Sequence, residues 1–138
     1  MKNYHNIITW AVRIIAAVIL LQTLFFKFTG AEESKYIFSK LGAEPWGRVG
    51  SGVVELIASV LIFIPVTTWI GALLGVGAMT GAILAHIFIL GISVKNSDGT
   101  EDKGQLFIYA VIVFIACAYL VWINRRSVPV LKNFIGLY

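Results

Sequence analysis

The sequence predicts an all-α polytopic membrane protein: an antiparallel four-helix transmembrane bundle with a short amphipathic helix lying at the interface between spans one and two. Three observations predict it. Hydrophobic residues make up 59% of the 138 residues and charged residues only 13%, with a mean hydropathy of +0.88, whereas soluble domains carry roughly 25% charge. Four apolar stretches, 7–28, 49–64, 68–92 and 105–123, reach or approach the ~20 residues a helix needs to cross a bilayer. Trp10, Trp46, Trp69 and Trp122 all fall near the ends of those stretches, at the headgroup level where indole rings collect.

Span one holds Arg13 inside its apolar run and is followed by three more spans, so it is expected to be a retained helix and not a cleaved signal peptide. Residues 31–41 form the interfacial helix: Glu32 and Glu33 suit its N-terminus, Ile37, Phe38 and Leu41 share a face, and Gly42 stops it. Span two is short and its start can reach back to Trp46. No residue from Leu56 to Val94 is charged. That run is too long for one crossing, and Pro65-Val66-Thr67-Thr68 supplies the turn that divides it. The segment 95–103, with Asn96-Ser97-Asp98-Gly99, is a polar turn before span four. The whole of 1–138 is expected to be a single membrane domain.

Four spans put both termini and the Pro65 turn on one face, and the loops 29–48 and 93–104 on the other. The terminal face carries Lys2, Arg125, Arg126 and Lys132, with Arg13 near it; the loop face carries Lys27, Lys35, Lys40, Arg48, Lys95 and Lys103. The compact Arg125-Arg126 pair favours cytoplasmic termini. The expected location is a bacterial inner membrane. The net charge of +4 belongs to lipid headgroup contacts, and no basic stripe interleaved with aromatics suggests a nucleic-acid partner.

The chain's one cysteine, Cys117, excludes a disulfide or a cysteine metal cluster, and His5 and His86 lie on opposite faces, so no metal site is expected. No phosphate loop or nucleophile motif is present. Span three carries Gly71, Gly75, Ala78, Ala82 and Ala85 on one face and Gly77 and Gly81 on another. These serve either packing within the bundle or a homo-oligomer contact.

Ionisable residues within hydrocarbon must pair, face a wet cavity or snorkel. Lys27 closes span one at the loop face, Glu55 lies about two turns, roughly 9 Å, into span two, His86 is near the end of span three, and Gln105 and Tyr109 open span four. Four helices thus bring Lys27, Glu55, His86, Gln105 and Tyr109 to one depth. Arg48 shares a face with Glu55, seven residues away. Arg13 shares a face with Lys27 but lies about 21 Å from it along the axis, so it forms a second basic site. Glu55 is expected to pair with Lys27 or Arg48.

The chain resembles the DoxX-like family of small four-helix membrane proteins. The matching residues are Arg13, the segment Leu24-Phe25-Phe26-Lys27-Phe28-Thr29-Gly30, the stretch Gly52-Val53-Val54-Glu55-Leu56, and Met79 to His86. The family's basic residues on span one, glutamate on span two and histidine on span three map onto Arg13, Lys27, Glu55 and His86. Where many relatives open span four with an acidic residue, this chain has Gln105. The resemblance implies a membrane subunit of quinone-linked sulfur oxidation or of a redox-stress complex; a eukaryotic branch acts in receptor assembly. The expected function is therefore a quinone- or lipid-binding subunit working with a redox partner protein. The alternative is a non-catalytic assembly or scaffold protein.

Overall fold

The computed structural model describes residues 2–96, 98–129 and 133; Ser97 and Lys132, named above, lie outside them. Among the described residues five α-helices follow in order: α1 Lys2–Thr29, α2 Glu32–Lys40, α3 Trp46–Phe63, α4 Thr68–Ala85 and α5 Gln105–Ile123. Four of them, α1 and α3 to α5, are long and apolar enough to cross a membrane. The protein is an integral membrane protein with the four-span architecture predicted from sequence.

Around the bundle each helix packs on the next, in the order α1, α3, α4, α5 and back to α1, while α2 rests on α1, on α3 and on the segment His86–Leu90 that follows α4. The buried face of α3 is its polar and small side: Arg48, Gly52, Glu55, Ala58, Ser59 and Ile62. Val53, Leu56, Ile57 and Val60 face outward. This inverts the soluble pattern, because lipid tails solvate apolar side chains as well as a core does.

The two small-residue patches of α4 separate in use. A Cβ on Gly71 would stand 2.7 Å from both the Ala58 carbonyl oxygen and the Ile62 nitrogen, and one on Gly75 2.5 Å from Cys117 Sγ. Glycine there lets α4 touch the backbone of α3 and the fully buried Cys117 of α5. Gly77 and Gly81 have nothing within 4 Å of such a carbon.

Three local features depart from simple helices. The first residue of α3 is Trp46, so the span takes in the interfacial tryptophan, at about 27 Å for its 18 residues. α4 does not run evenly to its end: His86–Leu90 form a π-helical turn, stopped where Gly91 adopts φ +83° and its N–H donates to the His86 carbonyl (2.9 Å). Asp102 then organises the start of α5. Its Oδ1 accepts from the amides of Val94 (2.7 Å) and Gly104 (3.0 Å), and its Oδ2 from that of Leu106 (3.0 Å).

Two predictions follow from these contacts. Gly71→Ala should lower stability by about 1–3 kcal/mol, since backbone atoms must shift, while Gly77→Ala should cost nothing or gain up to ~1 kcal/mol of helix propensity; unfolding midpoints in detergent compare the two. Partial burial alone would raise the Asp102 carboxyl, but the amides of Val94, Leu106 and Gly104 outweigh it and hold the group below the ordinary 3.8. Its contribution is therefore complete above pH 3.8 and lost as pH falls through the lower folded value. Amide exchange at Leu106, corrected for intrinsic rate, should accelerate in that acid window. Asp102→Asn should abolish the pH dependence and cost roughly 1 kcal/mol.

Candidate functional site

α1 ends at the loop face with Thr23 and Lys27, four residues apart and so on one side of the helix. α3 leaves that face with Glu55 on its buried side, 4% exposed. Lys27 Nζ donates to Glu55 Oε1, and Thr23 Oγ1 shares its one proton between Glu55 Oε2 (2.9 Å) and the Leu20 carbonyl (2.8 Å). Both carboxylate oxygens are thus engaged by α1. Of the two partners open to Glu55 on sequence grounds, the structure selects Lys27.

Arg48 is drawn elsewhere. Its Nε lies 2.9 Å from both Glu44 oxygens, Nη2 lies 2.8 Å from Oε1, and Nη1 donates to the Lys27 carbonyl. The guanidinium therefore satisfies a carbonyl in the last turn of α1, where no intrahelical donor remains. Glu44, outside the spans, is held below the ordinary carboxylate value by the Arg48 hydrogen bond. Arg48 sits beside the Lys27–Glu55 pair without lining the cavity described next.

A partly open cavity of about 730 Å³ lies between all four spans. Its polar end holds Lys27, Glu55, His86, Asp102, Gln105 and Tyr109; its walls are largely apolar, with Ile19, Leu20, Met79, Ala82 and Val113; and Ile37, Phe38 and Leu41 cover it from α2 and the residue after it. The apolar side of the interfacial helix thus faces the bundle interior. Ala78, Ala82 and Ala85 give up side-chain volume to this space.

His86 is 5% exposed and packs edge-on to Phe107, with 5.7 Å between ring centroids. Its Nδ1 lies 2.8 Å from the Gly91 carbonyl oxygen. A carbonyl only accepts, so Nδ1 carries the proton, and Nε2 is the acceptor of the neutral ring. Gln105 Nε2 donates to Tyr109 Oη (2.7 Å), one turn away on α5. Five predicted residues therefore meet at one cavity, as two internally bonded pairs and one oriented imidazole. Arg13 does not: it is buried in the other half of α1, its guanidinium 4.8 Å from the centre of the Trp10 ring.

Sequence reasoning missed Thr23, Glu44 and Asp102 as partners. Thr23 and Glu44 each stand four residues before the cation whose neighbourhood they share, a spacing that could have flagged them. Asp102 precedes α5 as a capping acid would. Among the described residues no group of three or more histidine, cysteine or acidic side chains could hold a metal ion.

Comparison with curated proteins gave no match, and comparison with solved structures gave none. A family model described as DoxX matches residues 8–88. The matched segment contains Arg13, the Lys27–Glu55 pair, its Thr23 partner and His86, together with α2 that covers the cavity. With more than half of its length matched, and the match running through the residues that form the polar end of the cavity, the chain belongs to the DoxX family.

Proposed function

We propose that this protein is a membrane subunit that binds a quinone, or a lipid-like molecule of similar build, and works with a redox partner protein. The observation that carries the reading is the cavity: about 730 Å³, within the ~300–1,000 Å³ usual for small-molecule sites, and apolar except for a few convergent polar groups. Its walls suit an isoprenoid-like tail, and its polar end offers both donors and acceptors to a head group. Lys27, Gln105 and Tyr109 can donate; Glu55 and His86 Nε2 can accept. A bound quinone would supply paired electron and proton transfer, with the electrons coming from the partner.

In this reading Glu55 and His86 exchange protons with the head group, and Lys27 holds the Glu55 carboxylate ready. The interfacial helix α2 excludes water and lies where a ligand would enter from the bilayer. The chain sits in a bacterial inner membrane with both termini cytoplasmic, which the Arg125-Arg126 pair supports.

A second reading is favoured by one observation. Both Glu55 oxygens are already engaged by Lys27 and Thr23, the arrangement of a lock on helix register, which suits an assembly or scaffold protein.

Titrating the purified protein with a ubiquinone or menaquinone analogue separates the two. The first reading expects saturable binding, weakened about tenfold or more by Glu55→Gln, the worth of one hydrogen bond to a charged group. Tyr109→Phe provides a second test if the Glu55 variant folds poorly. No binding to the wild type, with a protein partner co-purifying in fixed ratio, would favour the scaffold. Orientation is read separately: in intact bacterial cells, an impermeant thiol reagent should label Asp98→Cys and leave Ser127→Cys unlabelled.

A further inference from the structure

The terminal half of the bundle contains a buried cation that none of the described residues neutralises. Arg13 is 7% exposed, and its Nε is buried with no acceptor. Among the described residues its guanidinium makes no hydrogen bond or ion pair; only the Trp10 ring lies over it. Thr9, one turn away on the same face, turns its hydroxyl to the His5 carbonyl (2.8 Å). A buried unpaired charge is costly to hold in any fold, so the arrangement calls for an anion.

None of the Asp and Glu side chains in this sequence is placed to provide one. All seven Asp and Glu residues fall between positions 32 and 102. Each lies on the loop face or, for Glu55, in the part of the bundle next to it. A second copy in the same orientation lacks an acidic side chain on the terminal face for the same reason. What that face does offer is more cation: Arg125, stacked at 4.7 Å on Trp122, and Arg126.

Depth identifies the source. Lys27 pairs with Glu55, roughly 9 Å inside the loop-side surface, and Arg13 lies about 21 Å further along the axis, so in a ~30 Å hydrocarbon layer it stands near the terminal-side surface. Side chains of a helix slope toward its N-terminus, here the terminal face, and Trp10 lies on that side. The guanidinium fork therefore reaches the level of lipid phosphates between two tryptophan-marked positions. Basic pockets between transmembrane helices commonly hold anionic headgroups, and a planar fork matches two phosphate oxygens.

We propose that Arg13 is the anion-binding residue of a second site, which takes the phosphate of an anionic phospholipid at the terminal face. This site is separate from the cavity at Glu55 and does not rest on the quinone reading. A zwitterionic lipid brings its own ammonium and leaves the local excess of arginine unbalanced, so the site selects net negative headgroups.

The test uses the full-length protein in nanodiscs of phosphatidylcholine containing a minor fraction of phosphatidylglycerol with the same chains. After gentle release, native mass spectrometry should show phosphatidylglycerol retained about tenfold above its proportion, the effect of a charge-assisted hydrogen bond. Arg13→Gln should abolish the enrichment, and Arg13→Lys, which keeps the charge but not the fork, should retain part of it. If Arg13→Gln does not fold, the lysine variant and the wild type decide. Equal retention of the two lipids by the wild type overturns the proposal. So does enrichment that Arg13→Gln or Arg13→Lys leaves whole, or stabilisation by inorganic phosphate with no preference between the lipids, which would mark a free oxyanion site.

Discussion

The ion pair between Lys27 and Glu55 is the constraint on which the loop-facing half of the molecule depends. Neither charge could stand alone at that depth without a penalty of several kcal/mol. Each therefore fixes the rotation and the height of its own helix relative to the other. Thr23 takes the second carboxylate oxygen, so rotating α1 away from α3 would break two bonds at once. Arg48 adds a third tie by reaching from α3 to the Lys27 carbonyl. The polar contacts thereby hold the end of the bundle where close packing is given up to the cavity. Towards the other end, Gly71 lets α4 meet the backbone of α3, and Gly75 makes room for the side chain of Cys117.

That division explains what could be read from sequence and what could not. The spans were legible because hydropathy and length are set by the bilayer, and Pro65 marks the one turn that a continuous apolar run conceals. Glu55, Lys27, His86, Gln105 and Tyr109 were legible as a group, since antiparallel spans entering from one face must bring residues of equal distance from their ends to one level. Glu55 was readable as buried, because its short stem cannot reach water. The choice between Lys27 and Arg48 was not legible: both stand within reach along the sequence, and only the competing claim of Glu44 settles it.

The π-helical turn at His86–Leu90 was also hidden. Its residues, His-Ile-Phe-Ile-Leu, are ordinary for a membrane helix, and hydrophobic periodicity over five positions cannot separate a four-residue from a five-residue hydrogen-bond step. Asp102 was missed for a different reason. It lies in the polar turn 95–103, where an acidic side chain is ordinary, and only the folded chain brings three backbone amides from both ends of that turn onto it. Arg13 was legible as buried in sequence terms, but its want of a partner became visible only when every acidic side chain had been located.

The bond between residues 86 and 91 has a consequence of its own. Gly91 donates its amide to the His86 carbonyl and offers its carbonyl to the imidazole, closing a small ring in which one glycine serves both main chain and side chain. It can do so only in a left-handed backbone conformation, which residues with a side chain rarely adopt. Which ring nitrogen holds hydrogen is thus dictated by main-chain chirality five positions downstream. Putting a methyl group on that glycine would touch no ligand and remove no titratable atom, yet it would leave the basic edge of the histidine free to turn over.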